Sequence, residues 1–175
     1  MSDFNSGANS LRSGFHGEIF VSGDEGYDGA RAVWNAMIDR RPRLIARCRE
    51  VGDVIGAVKF ARAQGLPVSI RGGAHNVAGH AVCDDGIMID LSLMRSVSVD
   101  QEARRAEVEG GAIWADVDAA TQAYGLATPG GLISDTGVAG LTLSGGIGWM
   151  RAQHGLSIDS LMAADVVVAD GDLVH

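Results

Sequence analysis

The apolar and polar residues of this sequence follow two different periods, and the change of period divides the chain. Between Val51 and Gln64, apolar residues recur at steps of three and four, which predicts an amphipathic helix with Gly65 as its C-terminal cap. Short apolar runs at 44–46 and 66–70 flank this helix and are typical of buried strands. A strand, a helix and a strand over this length predict a βαβ unit with parallel strands.

Beyond residue 85 the pattern changes to short strands separated by turns. We predict strands at 86–91, 97–99 and 104–108, a helix at 113–124, and a strand at 163–169 followed by an Asp170-Gly171 turn and the start of a return strand. Trp114 and Trp149 are expected in the core, Tyr124 is expected to pack on the helix, and Asp116 and Asp118 are expected to be surface charges. The whole predicts an α+β fold: a small parallel βαβ layer and a mostly antiparallel sheet with flanking helices.

The residues before 40 are predicted to be a lead-in to the main domain. Residues 1–16 are rich in Ser, Asn and Gly, look loosely ordered, and lack the apolar core of a signal peptide. Residues 27–40 predict a helix with Trp34, Met37 and Ile38 on one face, ended by Pro42. We therefore place the main domain at 40–175, with two lobes of about 40–95 and 96–175.

The glycine content changes this picture, because 25 of the 175 residues are glycine. Glycine lets a backbone approach a ligand closely, so loops built around a ligand are favoured, although a turn-rich β protein would also be rich in glycine. A net charge of −8 argues against a nucleic acid partner. No apolar run is long enough to cross a membrane. Two cysteines without CxxC spacing favour reduced thiols and a cytoplasmic location.

The first glycine-rich segment is IRGGAHNVAGH, at residues 70–80. It follows a predicted strand, so it should lie at the carboxyl end of that strand, where α/β folds bind ligands. Backbone N–H groups around Gly72 and Gly73 could form an anion-binding nest, and Arg71 could add charged hydrogen bonds to a phosphate. The helix that must follow a G-x-G-x-x-G dinucleotide motif is missing. From the residues alone, a pyrophosphate-binding loop and a tight turn remain equally open.

The second glycine-rich segment is TPGGLISDTGVAGLTLSGGIG, at residues 128–148. Its glycines alternate with hydroxyl side chains, which suits a backbone that follows an extended polar ligand. The Gly-Lys-Ser/Thr of a P-loop does not occur. Apolar residues such as Leu132, Ile133 and Leu141 argue against a flexible linker, because linkers are polar.

The two segments together resemble FAD-linked oxidases of the vanillyl-alcohol-oxidase or para-cresol-methylhydroxylase type, and within them the berberine-bridge-enzyme-like branch. Residues 71–75 are similar to the family's Arg-x-Gly-Gly-His loop, which holds the FAD pyrophosphate. Asp85-Gly86 with residues 89–91 resembles the strand that follows that loop. Residues 136–140 and 144–148 are similar to the second FAD-contacting loop, and 155–159 and 166–171 to the segment that closes over the flavin. The resemblance covers residues 40–175.

This resemblance implies that FAD is the cofactor and that His75 is joined covalently to the flavin 8α-methyl group. A neutral imidazole is a competent nucleophile for that reaction, although a loop histidine that only forms hydrogen bonds would look the same. Ala74 replaces a glycine of the family pattern, which we expect to cost little unless the position needs a positive φ. Neither Ile133 nor Ser134 is the cysteine that some members link to the flavin, so a second covalent bond is not expected. The implied FAD contacts are Arg71, Gly72, Gly73, Ala74, His75, Asn76, Gly79, His80, Pro129, Gly130, Asp135, Thr136, Gly137, Gly140, Leu141, Ser144, Gly145, Gly146, Gly148 and Val167.

The resemblance also implies the reaction, which is oxidation of a small organic substrate such as an alcohol, a sugar or an alkaloid-like amine by hydride transfer to FAD, with dioxygen as the acceptor. In this family the catalytic base and the specificity come from a later domain, and we expect this chain to stop before it, so no catalytic residue is assigned. Self-association or a second chain would then complete the site. A non-catalytic or truncated flavin-binding module is the alternative, and an NADPH-dependent reductase of the same flavin fold is a third.

A metal site is not expected, because the histidines have no partners at metal-ligand spacing in the sequence. The histidines considered for such a site are His16, His80 and His154.

Overall fold

The computed structural model describes residues 2–175 and is organised around a mixed four-stranded sheet. The strands are β1 (Glu18–Val21), β2 (Leu44–Arg47), β3 (Val68–Arg71) and β4 (Ile87–Asp90), in the order β1-β2-β4-β3. Both β2 and β3 run parallel to β4, and β1 runs antiparallel to β2. The carboxyl ends of three parallel strands therefore meet at one edge of this sheet.

The helix of the βαβ unit and its parallel strands are confirmed, but a third strand that we expected in the antiparallel part lies between them. The helix α3 spans Val51–Gln64, and Gly65 ends it in the left-handed conformation at φ 61°. Strands β2 and β3 are not neighbours, because β4 lies between them, whereas we expected β4 among the antiparallel strands. All four residues of β4 are buried, and a strand that is covered on both faces is most stable at the centre of a parallel sheet.

Alternate residues of β2 and β4 supply two cores on opposite faces of the sheet, as the two-residue period of a strand requires. On one face, Leu44 and Ile87 pack with Phe60 of α3. On the other face, Ile45 and Met88 pack with Tyr27. Cys48 is fully buried at the end of β2, and burial raises the pKa of its thiol well above the ordinary value.

The lead-in residues are more ordered than expected. Residues Ser2–Ser13 form the helix α1, where a loose segment was expected, and Ala8 and Leu11 pack against the core that contains α3. The helix expected at 27–40 is wrong beyond residue 31: α2 spans only Tyr27–Arg31, and the backbone is extended at Ala32. Because β1 is part of the main sheet, the residues before 40 pack on the domain that follows.

The second half of the chain consists of two small antiparallel hairpins and short helices, which confirms the α+β class. Strands β5 (Val97–Asp100) and β6 (Arg105–Val108) form one hairpin, and β7 (Val166–Val167) and β8 (Leu173–Val174) form the other, so the strand expected at 163–169 is shorter. The helices are α4 (Trp114–Gln122), α5 (Val138–Leu143) and α6 (Arg151–His154), followed by a 3₁₀ turn at Ser157–Ser160.

Three side chains of this half differ from expectation. Trp114 is buried as predicted, but Trp149 is 80% exposed and Tyr124 is 47% exposed, so their assignment to packed positions is wrong. Asp116 is half-buried at the start of α4, where it accepts a hydrogen bond from the N–H of Ile113. A two-point hydrogen bond from Arg95 lowers the pKa of Asp116. No helix among residues 2–175 is long and apolar enough to cross a membrane.

Candidate functional site

Two glycine-rich loops meet beyond the carboxyl end of β3. The first glycine loop is residues 72–80 and the second glycine loop is residues 128–149. They touch backbone to backbone at Gly73 and Gly137, where a Cβ atom on either residue would overlap the main chain of the other. Both positions therefore require glycine for close approach. The sequence predicted the two loops as separate segments, and the structure joins them into one site.

The first glycine loop presents a row of unbonded backbone donors. From Gly72 to Ala78, no N–H group donates a hydrogen bond to another group among the described residues. The donor groups resume at Gly79, which bonds the carbonyl of Asn76, and at His80, which bonds the Asn76 side chain at 3.0 Å. Backbone N–H groups need an acceptor, so this row suits an anionic ligand.

Ala74 adopts the left-handed conformation inside this row, at φ 60°. The position therefore needs a positive φ, which is the condition under which we expected alanine to be costly. For a residue with a Cβ atom, this conformation costs about 1–2 kcal/mol.

Replacing Ala74 by glycine is expected to stabilise the protein. The relief of left-handed strain is partly offset by the greater backbone freedom of glycine in the unfolded chain, so the net gain is about 0.5–1 kcal/mol. Urea unfolding of the two proteins without FAD measures it. Equal or lower stability of Ala74→Gly would contradict the strain argument.

His75 connects the first loop with the second. Its Nε2 lies 3.4 Å from a carboxylate oxygen of Asp135, and its ring stacks on the indole of Trp34 with 5.6 Å between centroids. The imidazole is thus held from two sides while a fifth of it stays exposed. Sequence reasoning named His75 and Asp135 separately, and missed Trp34, which it had placed on a helix of the lead-in.

Arg71 has its partners inside the protein. Its guanidinium donates to the carbonyl of Ala30 at 2.5 Å, and its Nε lies 3.8 Å from the carboxylate of Asp90. Asp90 is fully buried and also accepts hydrogen bonds from Arg47 at 3.1 Å and from the N–H of Ser92 at 2.9 Å. The register sets Arg47, Asp90 and Arg71 side by side at the ends of β2, β4 and β3. A direct bond from Arg71 to phosphate stays a prediction.

Most residues predicted in the second glycine loop help to fold the loop. Gly130 and Gly131 lie against the ring of Trp114, and Gly148 lies against the backbone of Gly130. Leu141 packs close to Gly131 and Gly146. Pro129 is buried, and the carbonyl of Thr136 accepts a hydrogen bond from the N–H of Trp114. The predicted positions that stay exposed are Asp135, Gly140 and Ser144 in the second loop, and Asn76 and His80 in the first loop. Val167 is in β7, which packs on β8 and α3.

A possible cation-binding cluster lies away from these loops. The cluster consists of His16, Glu50 and Asp53, whose possible ligand atoms lie within 4.8 Å of one another. The fold thus brings two acidic side chains to His16 from positions that are distant in the sequence. Both carboxylate oxygens of Asp53 already accept backbone N–H groups, from His16 at 2.8 Å and from Arg49 at 2.9 Å. Asp53 thus serves the start of α3, and we assign no metal to the cluster.

The two loops fit a flavin dinucleotide. The unbonded N–H row suits a pyrophosphate, and no heavy atom lies within 4 Å of the Cβ position of Gly140, which leaves room beside α5. Two buried polar atoms near the second loop, Nε1 of Trp114 and Oγ1 of Thr142, have no partner among the described residues. Buried polar atoms without partners are rare, so these two are available to a polar ligand.

Comparison with known proteins agrees with this geometry. Residues 42–175 match the family model described as FAD binding domain. The chain belongs to this family of FAD-binding domains. The predicted cofactor FAD and the vanillyl-alcohol-oxidase type of fold are thereby confirmed.

Similar proteins place the FAD-binding domain in the berberine-bridge-enzyme-like branch. (R)-6-Hydroxynicotine oxidase of Paenarthrobacter nicotinovorans is 38% identical over 91% of this chain and 35% of its own length. A variant of the BBE-like 1 protein of Physcomitrella patens superposes with a TM-score of 0.91 at 25% identity, over 96% of this chain and 37% of its own. Chitooligosaccharide oxidase gives a TM-score of 0.88 at 26% identity, over 98% and 36%. The chain thus spans about a third of the length of these relatives.

Proposed function

We propose that the FAD held by this domain oxidises a small organic substrate by accepting a hydride, and that dioxygen takes the electrons afterwards. The observation that carries the proposal is the contact between the two glycine loops. At this contact, the backbone N–H groups of residues 72–78, which have no acceptor among the described residues, lie beside His75. The names of two similar proteins support the substrate class, since one is a hydroxynicotine oxidase and the other a chitooligosaccharide oxidase. The first name points to an alkaloid-like amine and the second to a sugar, so the proposed substrate class is an alcohol, a sugar or an alkaloid-like amine.

When bound, FAD supplies the two-electron acceptor, and the residues of this chain bind and orient it. The N–H groups of residues 72–78 are available to pyrophosphate oxygens, because none of them donates a hydrogen bond to another group among the described residues. Asp135 lies 3.4 Å from Nε2 of His75 and Trp34 stacks on the ring, so both side chains orient the imidazole.

We further propose that His75 carries the flavin covalently. A carbon–nitrogen bond forms between the imidazole and the 8α carbon, and one methyl C–H bond and the imidazole N–H bond are lost. The two electrons and two protons released pass to dioxygen, which becomes hydrogen peroxide. Support comes from the position of His75, whose ring is held by Trp34 and Asp135 at the junction of the two loops.

The covalent bond is tested by denaturing the FAD-loaded protein in acid and measuring the flavin absorbance of the pellet. Wild type is expected to keep its flavin, and His75→Ala to release all of it while still binding FAD. His154→Ala is the matched control, because His154 is an exposed histidine on α6 outside both loops. Release from wild type would refute the covalent bond and leave FAD binding open, which a titration of apo protein decides separately.

A second candidate function is a flavin-binding module that needs another chain or a second copy to turn over substrate. The observation in its favour is the exposed apolar surface of the second loop, where Leu132, Ile133, Leu143, Ile147 and Trp149 are 48–80% exposed. A surface of this kind is typical of a contact site. We propose that it is covered by protein in the working enzyme, by self-association or by a complementing chain.

We expect this chain to reduce dioxygen slowly and without a saturable dependence on any substrate. Oxygen consumption with alcohols, sugars and cyclic amines, read together with the mass in solution, tests this. A saturable rate from a monomer would exclude the module and favour a complete site.

A cytoplasmic location is also proposed, supported by the free thiols of Cys48 and Cys83.

A further inference from the structure

The segment from Trp34 to Arg40, which we call the brace, runs beside the first glycine loop although the two are far apart in sequence. The N–H of Trp34 donates to the carbonyl of Ala74 at 3.2 Å, and the side-chain amide of Asn35 donates to the carbonyl of Val77 at 3.0 Å. Arg40 donates to the carbonyls of Gly79 at 2.9 Å and Val82 at 3.0 Å. Three of these four bonds use a carbonyl of the first glycine loop, and the fourth uses the carbonyl of Val82, two residues beyond it.

This one-sided bonding fixes the direction of the loop's donors. In a planar trans peptide unit, the carbonyl of one residue and the N–H of the next point in opposite directions. Since the carbonyl of Ala74 points at the brace, the N–H of His75 points away from it. The same holds for the carbonyl of Val77 and the N–H of Ala78. Both N–H groups belong to the row without acceptors among the described residues.

The brace is itself held by the fold. Ile38 is half-buried in the core that contains Tyr27, and it lies against Gly79, where a Cβ atom would collide with it. Arg31 bonds the carbonyl of Arg40 at 3.2 Å and the carboxylate of Asp39. That hydrogen bond lowers the pKa of Asp39, which extends the pH range of the charged carboxylate toward acid. The brace is therefore tied to α2 on one side and to the loop on the other.

We propose that the brace is the positioning element for FAD: by binding the loop carbonyls of Ala74 and Val77, it directs the N–H groups of His75 and Ala78 to the cofactor pyrophosphate. The inference deepens the proposed function and rests on it. Trp34 adds to the same role, because its ring is 63% exposed and stacks on His75. Residues 34–40 thus serve the FAD site although they precede residue 42, where the family match begins.

The test compares the affinities for FAD and for riboflavin, which lacks the pyrophosphate, in apo protein that carries His75→Ala in every sample. This background keeps the backbone N–H of residue 75 and prevents the proposed covalent bond, so each Kd is an equilibrium value, and wild type in this test means the unchanged brace in this background. Asn35→Ala removes one brace bond and should raise the Kd for FAD about three- to tenfold, with no change in the Kd for riboflavin. Arg40→Ala removes two hydrogen bonds and should raise the Kd for FAD further. Arg40→Lys should recover part of the lost affinity. Met37→Ala is the control within the brace, because Met37 is 91% exposed and should change neither Kd.

The outcomes separate the inference from the function on which it rests. If wild type binds FAD and Asn35→Ala binds it equally well, the brace proposal is overturned alone. If Asn35→Ala weakens FAD and riboflavin equally, the brace acts on general folding and the proposal is again overturned. Failure of wild type to bind FAD at all would overturn the proposed function together with this inference. The thermal midpoint of each variant shows whether a folded protein was titrated.

Discussion

Replacing Asp90 by alanine is expected to cost up to about 3–5 kcal/mol of folding free energy, because it removes the buried carboxylate between Arg47 and Arg71 and leaves them only Glu18 and the carbonyl of Ala30 as partners. Asp90 is fully buried, accepts hydrogen bonds from Arg47 and Ser92, and lies 3.8 Å from the buried Nε of Arg71, which has no hydrogen-bond partner among the described residues. The side chains of Arg47 and Arg71 are only 23% and 19% exposed, so water cannot replace the carboxylate fully. The free energy of unfolding of a domain of this size is about 5–15 kcal/mol, so this loss would be a large part of it.

Urea unfolding at a fixed FAD concentration measures this loss. Asp90→Asn keeps the shape and one acceptor oxygen, so its loss should be smaller than that of alanine. Asp118→Ala is the control, because Asp118 is exposed on α4 and its removal should change stability by less than about 0.5 kcal/mol. An Asp90→Ala variant as stable as the Asp118 control would show that the three strand ends are not joined by this carboxylate.

The second large effect is expected at Gly137, the residue at which the two glycine loops touch. Gly137 has φ −67° and ψ 136°, a conformation that alanine adopts freely, so any cost of Gly137→Ala comes from contact alone. The added methyl group would overlap the backbone of Gly73, and main chain cannot rotate away as a side chain can. Overpacking of this kind costs about 1–3 kcal/mol, and opening the junction should weaken FAD binding about tenfold or more.

Gly140→Ala is the matched control for Gly137→Ala, since it lies on α5 and its Cβ position has no heavy atom within 4 Å. It should leave the apo protein as stable as wild type or slightly more stable. The bulkier Gly140→Val should abolish FAD binding if the cofactor occupies the space beside α5.

The double variant Gly73→Ala/Gly137→Ala should cost less folding free energy than the sum of the single variants, because one separation of the loops relieves both contacts. Additive losses would contradict a shared contact.

The sequence by itself determined the elements that depend on neighbouring residues. The steps of three and four from Val51 to Gln64 predicted α3 with its correct ends, because one face of a helix must be apolar to pack on a sheet. Gly65 was predicted as its cap because only glycine takes the left-handed conformation without strain. The glycine motifs at 71–75 and 136–148 indicated the family and FAD through their resemblance to known FAD-linked oxidases, whereas their glycine spacing alone left a phosphate-binding loop and a tight turn equally open.

The tertiary structure alone decided which distant segments lie side by side. Strand β4 lies between β2 and β3 because its residues are covered on both faces, and no local period states which strands will flank it. The brace was predicted as a helix from Trp34, Met37 and Ile38, yet its hydrogen bonds go to a loop some forty residues later along the chain. The position of Arg71 beside Asp90 also depends on the register of β3 against β4, and its predicted bond to phosphate stays a prediction. Apolar periodicity records which face of an element is buried, whereas hydrogen bonds between loops depend on where the sheet brings their ends together.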